Sequence, residues 1–383
     1  MEVDSDPDLL KPPSTRHKCS ACYKQFKKKE HLVEHMKCSF HSVHQPRCGV
    51  CKKHCKSFES LREHLTGPLP KSNCSTIYSE RGCNLCLKIC DSLTSLNDHK
   101  KICCLSAPVP LGTTKKSDAE SQIEVSNSND VNLIGSGSKA VALDCEMVGG
   151  GDDGTLDVCA RVCLIDEDEN LLFHAYVHPL ISVTNYRYEV TGLTEEHLSN
   201  AMPLKEVQEK ISQILYNGES TGSEWSDGAK ARLLVGHSIK HDLDCLRMNY
   251  PDHLLRDTAN YRPLMKTNLV SHPLKYLTRT YLGQCCGSSA SLSWLSRYDI
   301  QSGTHDPYED CVSVMRLYKR MRDLNHKESI EASFSVHRTE SFRVDLSSWT
   351  KELETMTPDE LYQMSTSNYT CWCLDQRQNA NTN

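Results

Sequence analysis

The chain has 383 residues, of which 25 % are charged and 38 % are hydrophobic, and its formal net charge is −6 at pH 7. A chain of this length has room for two or three domains. It has no apolar run long enough to cross a membrane, and its acidic first ten residues lack the apolar segment of a secretory signal. We therefore expect an intracellular protein that is neither secreted nor bound in a membrane.

Cysteine and charge are unevenly distributed along the chain. More than half of the 21 cysteines lie in the first 104 residues. Because a chain without a secretory signal folds in a reducing compartment, this density indicates metal ligands rather than disulfides. The first 105 residues also carry a net positive charge, whereas the rest of the chain is net negative. The division predicts two parts with different tasks.

An internal repeat organises residues 1–105. Three times, a Cys-x2-Cys pair is followed after twelve residues by a histidine, with a leucine three residues before that histidine. The pattern is similar to the Cys2His2 class of zinc finger, in which Zn²⁺ supplies folding energy that so small a module cannot obtain from its core. The repeats are Cys19, Cys22 and His35 in finger one, Cys48, Cys51 and His64 in finger two, and Cys83, Cys86 and His99 in finger three.

The fourth zinc ligand differs from finger to finger. Finger one closes well with His41. Finger two has no histidine nearby, and Cys74 is its only candidate. Finger three would close with Cys103 or with the adjacent Cys104, and we choose Cys103. We expect two to three structural zinc ions.

The basic residues of finger one bear on what the fingers bind. Lys24 and the run Lys27–Lys29 would favour contacts with phosphates, although a solvated helix start explains them equally well. The linkers between the fingers differ in length, whereas fingers that read duplex DNA in tandem need short regular linkers. We therefore favour RNA, non-specific nucleic acid or protein as the partner of the fingers.

Composition divides the rest of the chain into three segments. Residues 106–138 are rich in serine, asparagine, glycine and aspartate, which is typical of a flexible linker. Residues 139–323 alternate strand-like and helical patterns, which predicts an α/β domain with a mixed sheet. Residues 324–383 are polar, and we expect a partly disordered tail with one short helix over 348–364.

The apolar pattern predicts the elements of the α/β segment in chain order. Two early strands are separated by a glycine- and aspartate-rich stretch typical of a hairpin, and the later strands alternate with helices. We predict strands at Val141–Glu146, Val158–Ile165, Leu171–Val177 and Arg232–Val235, and helices at Leu204–Tyr216, Asp242–Asn249, Pro273–Leu282 and Pro307–Met321.

Acidic residues recur at three places in this segment. Asp144 and Glu146 end an apolar strand, where residues two apart point to the same face. Asp242 follows a strand and a turn, and Asp310 lies in the first turn of a helix that begins after His305. Held together, such carboxylates would suit two hard divalent cations in phosphoryl displacement, with a histidine to deprotonate the attacking water. Taken singly, each pair is more typical of a solvated surface.

Three segments resemble, in order and spacing, the exonuclease motifs of the DEDDh family. They are ALDCEMVG at 142–149, VGHSIKHDLDCL at 235–246 and HDPYEDCVSVMRLYKRM at 305–321. The run DCEMVG resembles the first motif of one branch of this family, which contains the RNA exonuclease 4-like, interferon-stimulated and apoptosis-enhancing nucleases. The resemblance covers residues 139–323.

This resemblance implies a ribonuclease H-like mixed sheet flanked by helices, preceded by small zinc-stapled ββα fingers. It also implies a 3′→5′ exonuclease that hydrolyses nucleic acid from a free 3′ end to nucleoside monophosphates, with the fingers aiding capture. By motif, Asp144, Glu146, Asp242 and Asp310 would bind two Mg²⁺ or Mn²⁺ ions, His305 would be the general base, and Met147 and Val148 would lie near the terminal nucleotide.

Several alternatives stay open. We favour RNA over DNA as the substrate, and we expect nuclear residence from the family resemblance and the basic fingers. The alternatives are an exonuclease that trims DNA in repair or apoptosis, and a zinc-finger binding factor whose nuclease part is an inactive scaffold. His241 stands where many relatives have asparagine. Segment 284–304 is longer than expected before the third motif, and is either a substrate-gating loop or a surface insertion.

Overall fold

A computed structural model of the chain describes two compact units. The first comprises residues 1–80, 266–269 and 322–383, and the second comprises residues 81–265 and 270–321. Among the helices of the described residues, none is both long and apolar enough to cross a membrane. The described residues are 16–19, 24–39, 46–70, 72–111, 139–217, 231–283, 298–324, 353, 355–356, 361 and 371–379.

The first unit contains the first two finger repeats. β1 and β2 pair antiparallel, and Leu32 and Met36 of α1 are buried against Cys19. Ser57 caps the next helix, because its Oγ accepts a hydrogen bond from the backbone N–H of Ser60 at 3.2 Å. The elements are β1 (His17–Lys18), β2 (Gln25–Phe26), α1 (Lys29–Ser39), α2 (Phe58–Thr66) and α3 (Ser72–Arg81).

A small apolar cluster joins α1 to the C-terminal segment within this unit. Val33 of α1 is buried against Leu353 and Leu361, and Met356 packs on the same cluster. Residues 353 and 355 are helical. The structure describes residues 353, 355, 356 and 361 of the helix that we predict over 348–364, and the other positions of that helix lie outside the described residues. Most of the predicted linker 106–138 lies outside them as well.

A mixed sheet forms the centre of the second unit. β3, β4 and β5 pair antiparallel in succession, whereas β8 runs parallel to β3 and β9 parallel to β8. β7 adds to β5 at one edge, and the short β6 pairs with β3. The strands are β3 (Ala140–Gly150), β4 (Leu156–Ile165), β5 (Leu171–His178), β6 (Val183–Asn185), β7 (Met202–Pro203), β8 (Leu233–Gly236) and β9 (Leu255–Asp257).

Helices cover this sheet, and the predicted α/β architecture is confirmed. Val141 and Leu143 of β3 share one buried cluster with Val207 and Ile211 of α7 and with Leu243 of α8. The predicted boundaries of α7, α9 and α10 agree within one residue, whereas α8 begins three residues and ends four residues earlier than we predict. The helices are α4 (Leu93–Cys103), α5 (Tyr188–Thr191), α6 (Glu195–Leu198), α7 (Leu204–Leu215), α8 (Ile239–Cys245), α9 (Leu274–Tyr281) and α10 (Pro307–Arg322).

The third finger repeat lies in this second unit. Its helix α4 begins after Ser92, whose Oγ accepts a hydrogen bond from the backbone N–H of Ser95 at 3.1 Å. Leu96 of α4 is buried with Cys90 and Cys103 in the small core of the finger. The compact unit that holds the sheet thus begins at residue 81. The domain boundary at residue 105 stays a prediction.

Candidate active site

Strand β3 carries the first two acidic residues. Asp144 lies opposite Cys163 of β4, and Glu146 lies opposite Arg161. Because side chains two apart on a strand point to the same face, both carboxylates project from one side of the sheet. Glu146 is 5 % exposed. A register shift follows Glu146, where the regular pairing of β3 with β4 is interrupted.

The third acidic residue is placed by the turn between β8 and α8. Ser238 adopts a left-handed backbone conformation, with φ of 61°, and its backbone N–H donates to Asp257 Oδ1 at 2.8 Å. Gly236 leaves no room for a side chain, since an added Cβ would lie 2.6 Å from Ile239 Cδ1. This tight turn begins α8 beside the end of β8, and Asp242 lies in the first turn of the helix, where it is buried.

The start of α10 places the histidine and the fourth acidic residue. Asp306 caps the helix, because its Oδ1 accepts a hydrogen bond from the backbone N–H of Tyr308 at 3.0 Å. Its other oxygen pairs with Arg161 Nη2 at 3.1 Å. The backbone N–H of His305 donates to Val190 O at 2.6 Å. The loop before α10 is therefore anchored at His305 and at Asp306.

These elements enclose one cavity of about 190 Å³. All five residues that we predict to be catalytic line it, although they come from three distant segments of the chain. Within the cavity, ligand atoms of Glu146, His305 and Asp310 lie within 4.8 Å of one another. The lining residues are Asp144, Cys145, Glu146, Met147, His237, Ser238, His241, Asp242, Leu274, Gln301, His305 and Asp310.

The two residues that we predict near the terminal nucleotide are placed differently. The side chain of Met147 lines the cavity. Val148 is fully buried with Ala160, Leu193 and Leu198 in a separate core cluster, and it is absent from the lining. The prediction for Val148 is therefore wrong in this structure, because its side chain packs in the core and not at the cavity.

The carboxyl groups in the cavity repel one another. Burial, followed by the charges of Asp310 and Asp242, raises the pKa of Asp144 well above its usual range. Burial and then the charge of Asp310 raise the pKa of Glu146 to about 8. Burial raises the pKa of Asp310 to about 7 and that of Asp242 well above its ordinary value. Burial, with Lys275 nearby, lowers the pKa of His305.

This arrangement fits divalent cations. Asp310 Oδ1 is buried and has no hydrogen-bond partner among the described residues. A divalent cation that prefers oxygen ligands would bind this oxygen, which has no donor. The cation would also offset the burial and the mutual repulsion that disfavour ionisation of the surrounding carboxyl groups. Arg161 is the positive group that acts on Glu146, and it is already paired with Asp306. The residues present could therefore hold Mg²⁺ or Mn²⁺.

Comparison with known proteins agrees with the resemblance to exonucleases that the three sequence motifs indicate. Residues 141–318 match the protein family described as Exonuclease, RNase_T. Residues 141–318 are therefore similar to the exonucleases of that family.

Several proteins that are similar to this chain carry the name RNA exonuclease 4. The protein from Candida glabrata is 34 % identical over 203 residues, which are 52 % of this chain and 65 % of that protein. The protein from Saccharomyces cerevisiae is 34 % identical over 196 residues, which are 51 % of this chain and 57 % of that protein. The chain therefore spans less than two thirds of the length of these relatives.

A solved structure shows a more remote likeness. The pseudoubiquitin hydrolase–RNA exonuclease module of Pan2 from Saccharomyces cerevisiae is 21 % identical to this chain, with a TM-score of 0.39. The similarity covers 52 % of this chain and 31 % of that one.

Three residues around the cavity were not found from the sequence. Gln301 lies in the segment that we considered a gating loop or an insertion, and its Nε2 donates to Asp310 Oδ2 at 2.8 Å. His237 contacts Thr258 Oγ1 at 2.9 Å, and Arg161 holds Asp306. Of these, only His237 stands in a motif that the sequence singles out. The positions of the other two depend on pairing and packing across the fold.

The described residues also form two Cys3His clusters outside this cavity. Cys48, Cys51, His64 and Cys74 place one ligand atom each within 4.8 Å of one another, and so do Cys83, Cys86, His99 and Cys103. Cys51 Sγ lies 3.4 Å from His64 Nε2, and Cys86 Sγ lies 3.2 Å from His99 Nε2.

The donor sets of both clusters fit Zn²⁺, which prefers four thiolate and imidazole ligands. Burial raises the pKa of Cys74 to about 12, so this thiol ionises only when a cation is present. Cys74 reaches finger two from the separate helix α3, whereas Cys103 is the last residue of α4.

In finger one, Cys19 is buried and His35 packs on Phe26 with ring centroids 4.9 Å apart. Its other two predicted ligands, Cys22 and His41, lie outside the described residues.

Proposed function

We propose that this chain is a metal-dependent 3′→5′ exonuclease that acts on RNA and releases nucleoside monophosphates. The observation that carries the proposal is the single cavity in which acidic residues and a histidine from three distant motifs converge. The exonuclease family and the name that the relatives share support it.

The residues of the cavity have distinct roles in this proposal. Asp144, Glu146, Asp242 and Asp310 would hold two Mg²⁺ or Mn²⁺ ions, which when bound stabilise the attacking and leaving oxygens of phosphodiester hydrolysis. The imidazole of His305 accepts a proton from the attacking water. The anchored loop before α10 keeps that ring at the cavity, where its nitrogen lies within 4.8 Å of carboxylate oxygens.

The finger region would serve the same reaction by holding the nucleic acid. We propose that two to three fingers bind Zn²⁺ and that the basic finger one contacts phosphates. Nuclear residence belongs to the same proposal. It rests on the resemblance and on the basic residues, and fluorescence microscopy of the tagged chain would test it.

The first test uses the zinc-loaded full chain and two matched oligonucleotides, one RNA and one DNA, each labelled at the 5′ end and carrying a 3′ tail. In Mg²⁺ or Mn²⁺ we expect a ladder that shortens from the 3′ end, faster with RNA. In EDTA we expect no shortening. Faster degradation of DNA would instead identify a DNA-directed exonuclease.

The matched control for this assay is Asp144→Asn, which keeps the shape of the side chain and removes its charge. We expect a rate at least about 100-fold lower, because losing a ligand costs more than losing a group behind it. An equal rate in this folded variant, or no degradation by the natural chain, would contradict the proposed function.

A further inference from the structure

The residues that follow the third finger are bound to the core of the second compact unit, residues 81–265 and 270–321, which we call the exonuclease unit after its proposed function. The backbone N–H of Leu105 donates to the carbonyl of Leu282, at the end of α9, at 2.9 Å. Just before it, the carbonyl of Cys103 accepts a hydrogen bond from Arg320 of α10. Cys103 is also a member of the Cys3His cluster. One residue therefore belongs both to a zinc site and to the contact with the exonuclease core.

A second arginine of α10 extends this contact. Arg316 binds both oxygens of Glu169 in the turn between β4 and β5, at 2.7 and 2.6 Å. Its Nη1 also donates to the carbonyl of Ser106 at 2.8 Å. The side chain of Arg316 is 18 % exposed. Because the guanidinium is planar and its donors are fixed, Arg316 holds the residue that follows the finger, Ser106, against the turn between β4 and β5.

Close backbone packing completes the junction. An added Cβ on Gly283 would lie 2.4 Å from Tyr298 Cβ and 2.8 Å from Leu105 O, so no side chain fits there. Tyr298 is fully buried, and its backbone N–H donates to Gly283 O at 3.2 Å. Leu105 after the finger, the end of α9 and Tyr298 therefore meet at one glycine.

We propose that the third zinc finger is a structural part of the exonuclease domain, and that its bound zinc holds residues 103–106 against α9 and α10. On this basis its role differs from nucleic-acid capture. Loss of its zinc loosens the end of α9 and the adjoining face of α10, whereas loss of zinc from finger two leaves both unchanged.

Hydrogen exchange of the full chain, combined with zinc analysis, tests this role. Cys103→Ser and Cys74→Ser are matched, because each removes the last cysteine of one cluster. We expect each variant to lose one zinc, but only Cys103→Ser to show faster exchange in residues 274–283 and 307–321. Equal exchange of these residues in the two variants would overturn the proposal.

A second variant covers the case in which Cys103→Ser fails to fold. Arg320→Met removes a donor to the carbonyl of Cys103 and leaves all four zinc ligands in place. We expect unchanged zinc content and exchange about tenfold faster in residues 93–106, the change expected for losing one hydrogen bond from a charged group. Unchanged exchange in that segment would contradict the docking role.

A separate observation concerns the orientation of Asp310. Gln301 Nε2 donates to Asp310 Oδ2 at 2.8 Å, while Oδ1 of the same carboxylate is buried without a hydrogen-bond partner among the described residues. The amide therefore occupies one oxygen of a carboxylate that lines the cavity and leaves the other one available to a cation. Hydrogen bonds of this kind fix the orientation of metal-binding carboxylates.

Gln301 is itself held by its surroundings. Its φ of 55° is in the left-handed region, which residues other than glycine adopt only when contacts enforce it. The carbonyl of Gln301 accepts a hydrogen bond from Lys275 Nζ at 2.6 Å, and the preceding Ile300 is 1 % exposed. The backbone on both sides is thus fixed, and the amide points to Asp310.

We infer that Gln301 is a positioning residue that presents Asp310 Oδ1 to the metal, an inference that rests on the proposed role of Asp310 as a ligand. The test measures Mn²⁺ binding to the zinc-loaded full chain by electron paramagnetic resonance, without substrate. Gln301→Leu keeps the size and removes the donor. Gln208→Leu is the matched control, because the amide of Gln208 donates to Leu246 O at 2.8 Å, outside the cavity.

We expect Gln301→Leu to weaken Mn²⁺ binding about 10- to 100-fold and Gln208→Leu to leave it unchanged. In the nuclease assay, excess Mn²⁺ restores the rate of Gln301→Leu, whereas the KM for RNA stays the same. Unchanged Mn²⁺ affinity in Gln301→Leu would overturn this inference. If the natural chain binds Mn²⁺ but degrades no RNA, the proposed function fails and the positioning role stands.

Discussion

The exonuclease unit contains two clusters of metal-ligating side chains that are built in opposite ways. Cys83, Cys86, His99 and Cys103 lie within a short stretch of chain, and their four ligand atoms face one another. The carboxylate cluster takes Asp144 and Glu146 from β3 and one residue each from α8 and α10, and it opens on a cavity. The first set is typical of a structural zinc site, and the second leaves room for a substrate.

The difference predicts opposite couplings between metal and fold. A local four-ligand site gains its metal as it folds, so that the binding free energy of the metal becomes folding free energy. The carboxylates are brought together only by the complete sheet, and their mutual repulsion opposes folding until a cation arrives. Zinc should therefore be needed for stability, and magnesium or manganese for activity.

The largest expected effect separates these two dependences. We expect Asp144→Asn to lose at least about 100-fold in activity while its melting temperature without Mg²⁺ stays equal or rises. The rise follows because the amide removes the free-energy cost of burying an ionisable carboxyl group, whose pKa is raised by burial and by the charges of Asp310 and Asp242. We expect Cys86→Ser to lower the melting temperature of the exonuclease unit by about 10 °C, as for a loss of about 3 kcal/mol in a unit of this size.

Thermal unfolding of the zinc-loaded full chain, scanned in EDTA-free buffer without Mg²⁺, gives the melting temperatures, and the oligonucleotide assay gives the rates. A marked drop in stability for Asp144→Asn would mean that the carboxylates support the fold. An unchanged melting temperature for Cys86→Ser, with its zinc lost, would mean that the third finger is independent of the unit.

Much of this fold follows from local sequence patterns. Apolar runs in the sequence predict the long strands β3, β4 and β5. A capping residue and an apolar stripe predict the helix α10. The short strands β6, β7 and β9 were not predicted, because two or three residues become a strand only by pairing with a neighbour. Such pairing is a property of the folded sheet and leaves little trace in local composition.

The clusters follow the same logic at the level of single residues. Spacing alone singles out Asp144 and Glu146, since residues two apart share a strand face. Spacing does not decide between Cys103 and Cys104, but the structure ends α4 at Cys103 and places that thiol in the cluster. Gln301 carries no local signal, because its approach to Asp310 depends on a left-handed backbone and on contacts with Lys275.

The smallest expected effect tests whether the finger region binds nucleic acid. Lys27 and Lys28 of finger one are exposed, and in α7 the exposed Lys205 and the half-exposed Lys210 face glutamates one helical turn away. Replacing either pair by glutamine removes the same charge. If finger one contacts RNA phosphates, Lys27→Gln with Lys28→Gln should reduce the slope of log affinity against log salt by about 1.4, since each contact with a single strand contributes about 0.7.

The pair in α7 should leave the slope unchanged, because its charge is already balanced by Glu209 and Glu206. Fluorescence anisotropy of a 3′-tailed RNA, titrated with the full chain in EDTA-free buffer lacking Mg²⁺, measures the slope between low and moderate salt. An equal slope for both variants would show that these finger lysines release no counterions from the RNA. The basic charge of finger one would then act on a protein partner, and capture of the substrate would fall to the exonuclease unit alone.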